Sequence, residues 1–533
     1  MSRPVRRCLR PGPLALATVA ALGAAMAAAP TATAAVSPLH QASGATPFAP
    51  DCNGAPQSVA AVRDSEVEPW IDVNPGNAKQ MIGVYQQDRF STGGANGLGT
   101  SVTTDGAATW RELKVGELPT FTRCAGAAAG SVGDYERATD PWLTYSADGK
   151  TAYQMSLSFN DTRDGANAML VSRSTDGGAK WDLPTQLIRD TPRSVLNDKN
   201  SMTADPAVAN NVYAVWDRLV FPNDRTRGQS FNTAAAFRGP TYFTRTTNGG
   251  ESWETARPIF DPGQNDQTIG NQIAVTGGTG TLVNVMTVFR NDNGAKKRGA
   301  NVEVLRSTDK GATWSRDILI DRLGSVPVTD PRTGEDVRTG DIIPSIATDE
   351  RPGHNEVYAV WQDARWTNFQ RDQIAFSKSS DGGLTWSPTV RINNATVDTQ
   401  AFNPAIRVDA AGNISVTHYD FRNDTKASVP LETDVWSLRS NDGGTTWHEE
   451  RVTPTSFDMR QAPVARGFFI GEYVGTAATG ATFTPFLSQA GPTDTYSATV
   501  TGPLGETVIT PTPSPAGLTA ASFPIPKGRP TPA

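Results

Sequence analysis

One eight-residue string occurs six times in this chain. It reads "TTDGAATW" (103–110), "STDGGAKW" (174–181), "TTNGGESW" (246–253), "STDKGATW" (307–314), "SSDGGLTW" (379–386) and "SNDGGTTW" (440–447). The third positions are Asp105, Asp176, Asn248, Asp309, Asp381 and Asp442, and the steps between them are 71, 72, 61, 72 and 61 residues. Regular self-similarity of this kind commits a chain to stacked supersecondary units, each burying a face on its neighbours. The string has the chemistry of a turn. Asp or Asn, with Ser or Thr two places earlier, closes a local ring of hydrogen bonds to backbone amides. The glycines supply positive φ, and Trp plugs the turn into an apolar layer. One chain does not need six copies of one active site, so these residues are expected to be structural.

Each string sits inside a longer unit. "PSIATDE" (344–350), "EVYAVWQDAR" (356–365), "QIAFSKSSDGGLTW" (373–386) and "SPTVRI" (387–392) are rich in Val, Ile, Tyr, Trp and Thr, as strands are. The unit therefore has four strands, A to D, with the string between C and D. Seven A–B pairs can be counted, starting near Trp70, Trp142, Met202, Ile273, Ile343, Pro404 and Phe469. The last unit has no string and no clear fourth strand, and "QSVAAVR" (57–63) is expected to supply one. A ring closed by a strand from the other terminus leaves no exposed sheet edge. The expected fold is all-β: a β-propeller of seven four-stranded blades over residues 57–500, with six blades as the alternative.

Ser-x-Asp-x-Gly-x-Thr-Trp is the Asp-box (BNR repeat) motif, and the chain resembles the sialidase (neuraminidase) superfamily of Asp-box propellers over about residues 57–500. Sialidases of this family are six-bladed, so a seventh blade would set this chain apart.

Outside the repeats, residues 1–35 read as an export signal. "MSRPVRRCLRPG" carries Arg3, Arg6, Arg7 and Arg10, an Ala-rich apolar run follows, and "TATAA" offers small residues near Ala34. No later run is comparably apolar, so no membrane anchor is expected. Arg6–Arg7 leaves both the general and the twin-arginine route open. Loss of the four arginines takes the formal charge from −6 to about −10, which disfavours nucleic acid as a partner. Cys52 and Cys124 then remain, and an even pair in an exported protein points to a disulfide, with two free thiols as the alternative. Four histidines do not suit a His-rich zinc site. No cofactor is expected, and surface Asp clusters leave room for structural calcium. Residues 36–56 read as a flexible lead. Residues 501–533, with eight prolines, read as an extended unstructured tail.

Chemistry is expected on the face opposite the boxes. The B–C junctions repeat a charged pattern: Asp88 and Arg89, Asp161 and Arg163, Asp217 and Arg218, Arg290 and Asp292, Asp363 and Arg365, Arg422 and Asp424. Arginine offers a planar fork suited to a carboxylate, while the plain alternative is Asp–Arg pairs that pin each loop. "DYERATDPW" (134–142) places Arg137 and Asp140 at the entrance to an inner strand, and "GFFIGEYVG" (467–475) places Glu472 and Tyr473 inside one. A charge there is costly unless it faces the channel or a partner.

The family resemblance gives these residues roles. Sialidases hold the substrate carboxylate with three arginines. They use a Glu-activated Tyr in place of a carboxylate nucleophile, which that substrate would repel. The resemblance implies Tyr473 as nucleophile, Glu472 as its partner and Asp140 as acid/base. It places Arg137, Arg365 and Arg422 around the carboxylate, with Arg290 also substrate-binding. The family's Phe-Arg-Ile-Pro signature is absent. Adjacent strand residues point to opposite sides, so Glu472 and Tyr473 could share the channel only at a bulge.

The resulting expectation is a secreted, exo-α-sialidase-like glycosidase releasing terminal acidic sugars from glycans or glycoconjugates. Two alternatives stand beside it: a propeller lyase of uronic-acid polymers using His418 and Tyr419, and a non-catalytic carbohydrate-binding propeller. The chain has no Gly-x-Ser-x-Gly elbow, phosphate loop or dinucleotide fingerprint.

Overall fold

The computed structural model describes residues 1, 35–222, 238–290, 299–394, 399–425, 429–491, 494–502, 504, 507–519 and 522–524. Residues 2–34 of the expected export signal and 525–533 of the tail lie outside the described residues.

The repeated units fold as antiparallel sheets. The first is Ala61–Val73, Met81–Phe90, Ala95–Thr103 and Arg111–Glu112. The second is Arg137–Tyr145, Ala152–Phe159, Asn167–Ser174 and Thr185–Asp190, and it runs on from the first through the pairing of Ala95 with Ala138. The third is Val195–Ala204, Val212–Val220, Thr241–Thr246 and Arg257–Phe260. The fourth is Gln267–Val275, Leu282–Arg290, Gly299–Ser307 and Ile318–Arg322. The fifth is Ser345–Thr348, Val357–Asp363, Gln373–Ser379 and Val390–Arg391. The sixth is Ala401–Val408, Ile414–Asp420, Glu432–Ser440 and Trp447–Arg451. The seventh has Gly475–Thr479, Thr482–Gln489 and Asp494–Ser497. The first strand of each sheet packs on the first strand of the next, and Gly475–Thr479 packs back on Ala61–Val73.

Composition explains the layering. Val357–Asp363 (VYAVWQD) is buried at every position, because a neighbouring sheet covers each face. Thr185–Asp190, an outermost strand, leaves three of its six residues exposed. The core is accordingly spread between sheets. Met155, Leu157 and Met169 of the second meet Met202, Ala214 and Trp216 of the third, and Val285 and Val302 of the fourth meet Ala359 and Trp361 of the fifth.

The boxes lie between third and fourth strands and act as staples. In the fourth sheet Ser307 Oγ donates to Asp309 Oδ1 (2.8 Å). Asp309 also accepts from the Thr313 amide (2.9 Å) and hydroxyl (2.6 Å). Those Thr313 bonds push the Asp309 pKa down to about 2. Gly311, at φ 87°, packs on Phe243 of the third sheet, where a Cβ would stand 2.5 Å from the ring. Gly444 meets Phe376 of the fifth sheet in the same way. Trp110 Nε1 donates to Ser497 Oγ (2.9 Å), tying the first sheet to the seventh.

Closure differs from expectation. Residues 57–63 do not complete the seventh sheet, since Ala61 and Val62 already pair with Phe90 and Arg89 in the first. His40–Gln41 pairs with Ser497 and Tyr496 instead, and Ala35–Val36 pairs with Thr501 and Val500. The lead read as flexible thus carries two edge strands and Cys52, which is disulfide-bonded to Cys124. Part of the tail read as unstructured is also paired. Thr507–Ile509 extends the sixth sheet beside Trp447–Glu449, and Thr512–Pro513 extends the fifth beside Val390–Arg391. Both additions cover outer edges. No helix among the described residues is long and apolar enough to cross a membrane.

Two features build the site. First, the innermost strands of five sheets change register midway, at Val67/Trp70, Thr139/Trp142, Asp198/Ser201, Ile269/Gln272 and Phe402/Ala405. One residue in each bulge is left-handed: Glu68 (φ 54°), Asp140 (50°), Lys199 (45°), Gly270 (73°) and Asn403 (51°). A bulge re-aims a side chain, and such strain persists where the surroundings hold it. Second, a hairpin inserted between the fourth and fifth sheets, Val328–Thr329 with Asp336–Arg338, pairs in parallel with Phe468–Phe469.

Candidate active site

The bulges of the first three sheets aim two acids and one ammonium at a common point. Lys199 Nζ lies 2.9 Å from Asp140 Oδ1, 3.2 Å from Glu68 Oε1 and 2.5 Å from Glu472 Oε2. The ammonium donates to Glu68 and Asp140 and forms an ion pair with Glu472. Glu472 sits between Phe468–Phe469 and Gly475–Thr479, outside any strand. Its second oxygen accepts from Arg338 Nε (2.8 Å) of the inserted hairpin. Glu68 and Asp140 side chains are 1% and 3% exposed, Lys199 and Glu472 10% and 11%, so the last two form the solvent-facing lip.

The acids do not share one environment. Burial pushes the pKa of both Asp140 and Glu68 up, against the pull of Lys199. Burial would raise Glu472 too, but Arg338 and Lys199 outweigh it and hold Glu472 well below the usual carboxylate range. Lys199 is driven well above its ordinary value, because Asp140, Glu472 and Glu68 together overcome its burial. Adjacent carboxyl groups with pKa values pushed apart are the physical basis of an acid and a base in one site.

Below this layer lies an aromatic floor. Trp70 and Trp142 stack with centroids 3.5 Å apart, and Tyr473 packs on them at 6.3 and 5.6 Å. Beside it, Arg89 and Arg338 lie over the Phe469 ring at 4.8 and 4.4 Å. Arg89 is buried and donates to Gln86 Oε1 (2.7 Å). Its Nε has no hydrogen-bond partner, and among the described residues no carboxylate stands within ion-pair distance of it. Burial, then the charge of Arg338, lowers its pKa to about 10.

The predicted residues divide. Asp140 and Glu472 come together, through Lys199. Tyr473 does not join them as an activated nucleophile. Its hydroxyl donates to the Pro141 carbonyl (3.4 Å), and burial, then Glu68 and Asp140, push the phenol well above its ordinary pKa. The four arginines named for the substrate carboxylate are each already bonded to carboxylates of this chain. Arg137 is spent on Gln57, Thr92, Gly93 and Asp161. Arg290 is held by Glu303 and Asp317. Arg365 grips Asp363 (2.7 Å) and Asp321 (2.6 Å). Arg422 grips Asp420 and Glu449, both at 2.5 Å, over Trp436. Arg365 and Arg422 bind acids of their own junctions, Asp363 and Asp420, and all four also tie together neighbouring segments. The junction arginine that does reach the centre is Arg89. His418 and Tyr419 do not fit a lyase pair, because both are buried within the sixth sheet. Neither His418 ring nitrogen has a hydrogen-bond partner, although Nε2 lies 3.9 Å from Glu449 and 4.0 Å from Asp420, and the Tyr419 hydroxyl donates to Ser488 O (3.1 Å). For a cation, the described residues offer Asp349, His354 and Glu356, but Arg351 already binds Asp349.

Glu68, Lys199 and Arg338 were missed from sequence. One signal was present: an acid followed by Pro-Trp occurs at Glu68–Trp70 and again at Asp140–Trp142. Lys199 and Arg338 belong to no motif.

Residues 241–467 match the family model of the BNR repeat-like domain. A protein named sialidase from Bacteroides fragilis (strain YCH46) is 26% identical over 201 residues, covering 34% of this chain and 35% of the relative. The match thus spans about a third of the length of that curated relative. Among solved structures, the Hadza microbial sialidase Hz136 is 13% identical, with TM-score 0.44, covering 85% of this chain and 91% of that one. The leech intramolecular trans-sialidase is 11% identical, with TM-score 0.42, covering 82% and 92%. The α-L-arabinanase of Penicillium chrysogenum is 11% identical, with TM-score 0.42, covering 88% and 98%.

Proposed function

Since this chain fits a BNR-repeat protein of the sialidase superfamily, we propose that it is a secreted glycoside hydrolase on a seven-bladed β-propeller, releasing terminal acidic sugars from glycans. The observation that carries the catalytic reading is the split set of carboxyl groups on Lys199. Asp140, whose carboxyl burial pushes up in pKa, donates a proton to the glycosidic oxygen as the bond to the anomeric carbon breaks. Glu472, kept ionised by Arg338, takes a proton from the water that attacks that carbon. Glu68 supports the proton on this side of Lys199. The substrate carboxylate pairs with Arg89, the buried guanidinium without a carboxylate of its own. A base acting through water also avoids the repulsion that a carboxylate nucleophile would meet beside an acidic sugar. The sialidase name of the bacterial relative supports the same substrate class.

The blade count rests on the cyclic contacts of the inner strands. The register rows support box hairpins opposite the site. Ala204, Val212 and Thr246 share one row at the box end of the third sheet, five residues from Lys199. Export rests on the Arg-rich, Ala-rich leader of residues 1–35.

The test is a panel of fluorogenic glycosides given to the purified protein: an α-sialoside, a β-glucuronide and neutral sugars. Release from an acidic glycoside, with a KM raised about 10- to 100-fold by Arg89→Gln, is the expected result. Release from neutral glycosides alone, or an unchanged KM in Arg89→Gln, would contradict the acidic-sugar reading. No release from any glycoside or sialylated glycoprotein would contradict the enzyme reading. Cleavage of the expressed chain near Ala34, read by mass spectrometry of the culture medium, tests export.

A further inference from the structure

We infer that the hairpin inserted between the fourth and fifth sheets is part of the active site, and that Arg338 at its end is a positioning residue that holds the Glu472 carboxylate in place. This inference rests on the catalytic reading above but not on the identity of the sugar.

Three independent contacts carry it. The strand Asp336–Arg338 is fixed against the segment leading to Glu472 by parallel pairing, Val337 with Phe468 and Arg338 with Phe469. Small residues allow the approach. A Cβ on Gly340 would collide with the Glu472 carbonyl, and one on Gly467 would meet Asp336 O at 2.5 Å. The far end of the hairpin is clamped as well. Buried Asp330 binds Arg460 Nη2 at 2.6 Å, and Arg332 Nη2 reaches Asp424 Oδ1 at 3.1 Å. Asn403, the left-handed residue of the sixth sheet, joins the two segments. It accepts from the Gly340 amide (2.7 Å) and donates to the Gly471 carbonyl (2.9 Å). The hairpin is therefore held at both ends, and what it delivers to the centre is one guanidinium.

The charge of that guanidinium is needed there. Glu68, Asp140 and Glu472 share the ammonium of Lys199, with Asp198 also facing it; Arg89 acts on Glu68 and Arg466 on Glu472, but Lys199 alone cannot neutralise the acids gathered on it. Arg338 donates Nε to the Glu472 oxygen that Lys199 leaves free, and Phe469 fixes the plane of its fork. Arg338 favours the ionised form of Glu472, while burial pushes the Asp140 and Glu68 carboxyls up. A residue that only packed against Phe469 would have no such effect.

The experiment compares wild type with Arg338→Gln and Arg338→Lys in two readouts. In the kcat/KM profile on the glycoside that wild type hydrolyses, Arg338→Gln should move the acid limb up by about one pH unit or more, and Arg338→Lys should bring it part of the way back. A uniform drop in kcat/KM with an unmoved acid limb overturns the inference. The second readout needs no substrate, so it separates failure of this inference from failure of the glycosidase reading. Glu472 has a depressed folded pKa, so its contribution to stability is present at neutral pH and lost as pH falls through that value. The melting-temperature gap between wild type and Arg338→Gln should therefore shrink from pH 7 to pH 3, and in a Glu472→Gln background it should no longer depend on pH. A gap that is constant with pH in both backgrounds overturns the inference.

Discussion

At the scale of single residues, charge is placed by backbone strain. Glu68, Asp140 and Lys199 hold positive φ inside strands, a conformation costing about 1–3 kcal/mol each. In return three side chains from three sheets meet at one nitrogen. Tyr473→Phe removes a hydroxyl that serves only the Pro141 carbonyl, so it should change kcat by less than about threefold in a steady-state assay. Activation of Tyr473 by Glu472 would instead show as a loss of several hundredfold. A second buried acid, Glu66, makes a pH-linked prediction. It hydrogen-bonds with Gln87 and Ser43, and burial followed by Asp494 raises its pKa from 4.5 to about 10. The folded chain therefore carries a proton there that the unfolded chain has released at neutral pH. Stability from this group is full below about pH 4.5 and falls as pH rises toward 10. Glu66→Gln keeps the shape and removes the penalty. It should stabilise by up to about 3 kcal/mol at pH 7 and by nothing at pH 4, measured by denaturant unfolding at both values. Asp140 was legible because a charge inside an apolar inner strand demands a reason, and Glu472 because it stands among apolar residues, although it lies in the segment before Gly475–Thr479 and not in a strand as expected. The loop arginines misled because sequence shows a guanidinium but not the carboxylate beside it, such as Glu449 for Arg422.

At the scale of elements, the box turns explain how neighbouring sheets are fastened. Their hydrogen bonds are local, so sequence alone revealed them. The contact of box glycines such as Gly311 and Gly444 with the preceding sheet is not local. Gly311→Ala should cost about 2 kcal/mol, from a strained φ and a Cβ forced against Phe243, while kcat/KM stays at the wild-type value. Loss of activity without loss of stability would mean that the boxes reach the chemistry. Strands of seven to ten residues were readable from β-branched and aromatic runs. His40–Gln41, Thr507–Ile509 and Thr512–Pro513 were not, since two or three residues carry no period. The hairpin that delivers Arg338 was missed for the same reason.

At the scale of the whole molecule, the chain is a cycle of sheets whose ends are sewn together from both termini. Lead strands complete the seventh sheet, tail strands cover the sixth and fifth, and Cys52–Cys124 closes a loop of 72 residues between lead and first repeat. Loop closure of that length is worth about 4 kcal/mol in the chain-entropy account. Reduction should lower the melting temperature by several degrees in a calorimetric scan, and an unchanged transition would show that the lead is held by its strands alone. The spacing of the boxes made the repeat architecture legible. The centre was not, because the residues that meet there are separated by up to about 400 positions along the chain. The central claim is that Asp140 and Glu472, gathered on Lys199, perform the hydrolysis. The most direct measurement is the rate of aglycone release by wild type, Asp140→Asn and Glu472→Gln, each first confirmed to be folded by circular dichroism. The account predicts a loss of about a thousandfold or more in both variants. Retention of the wild-type rate by either folded variant would contradict it.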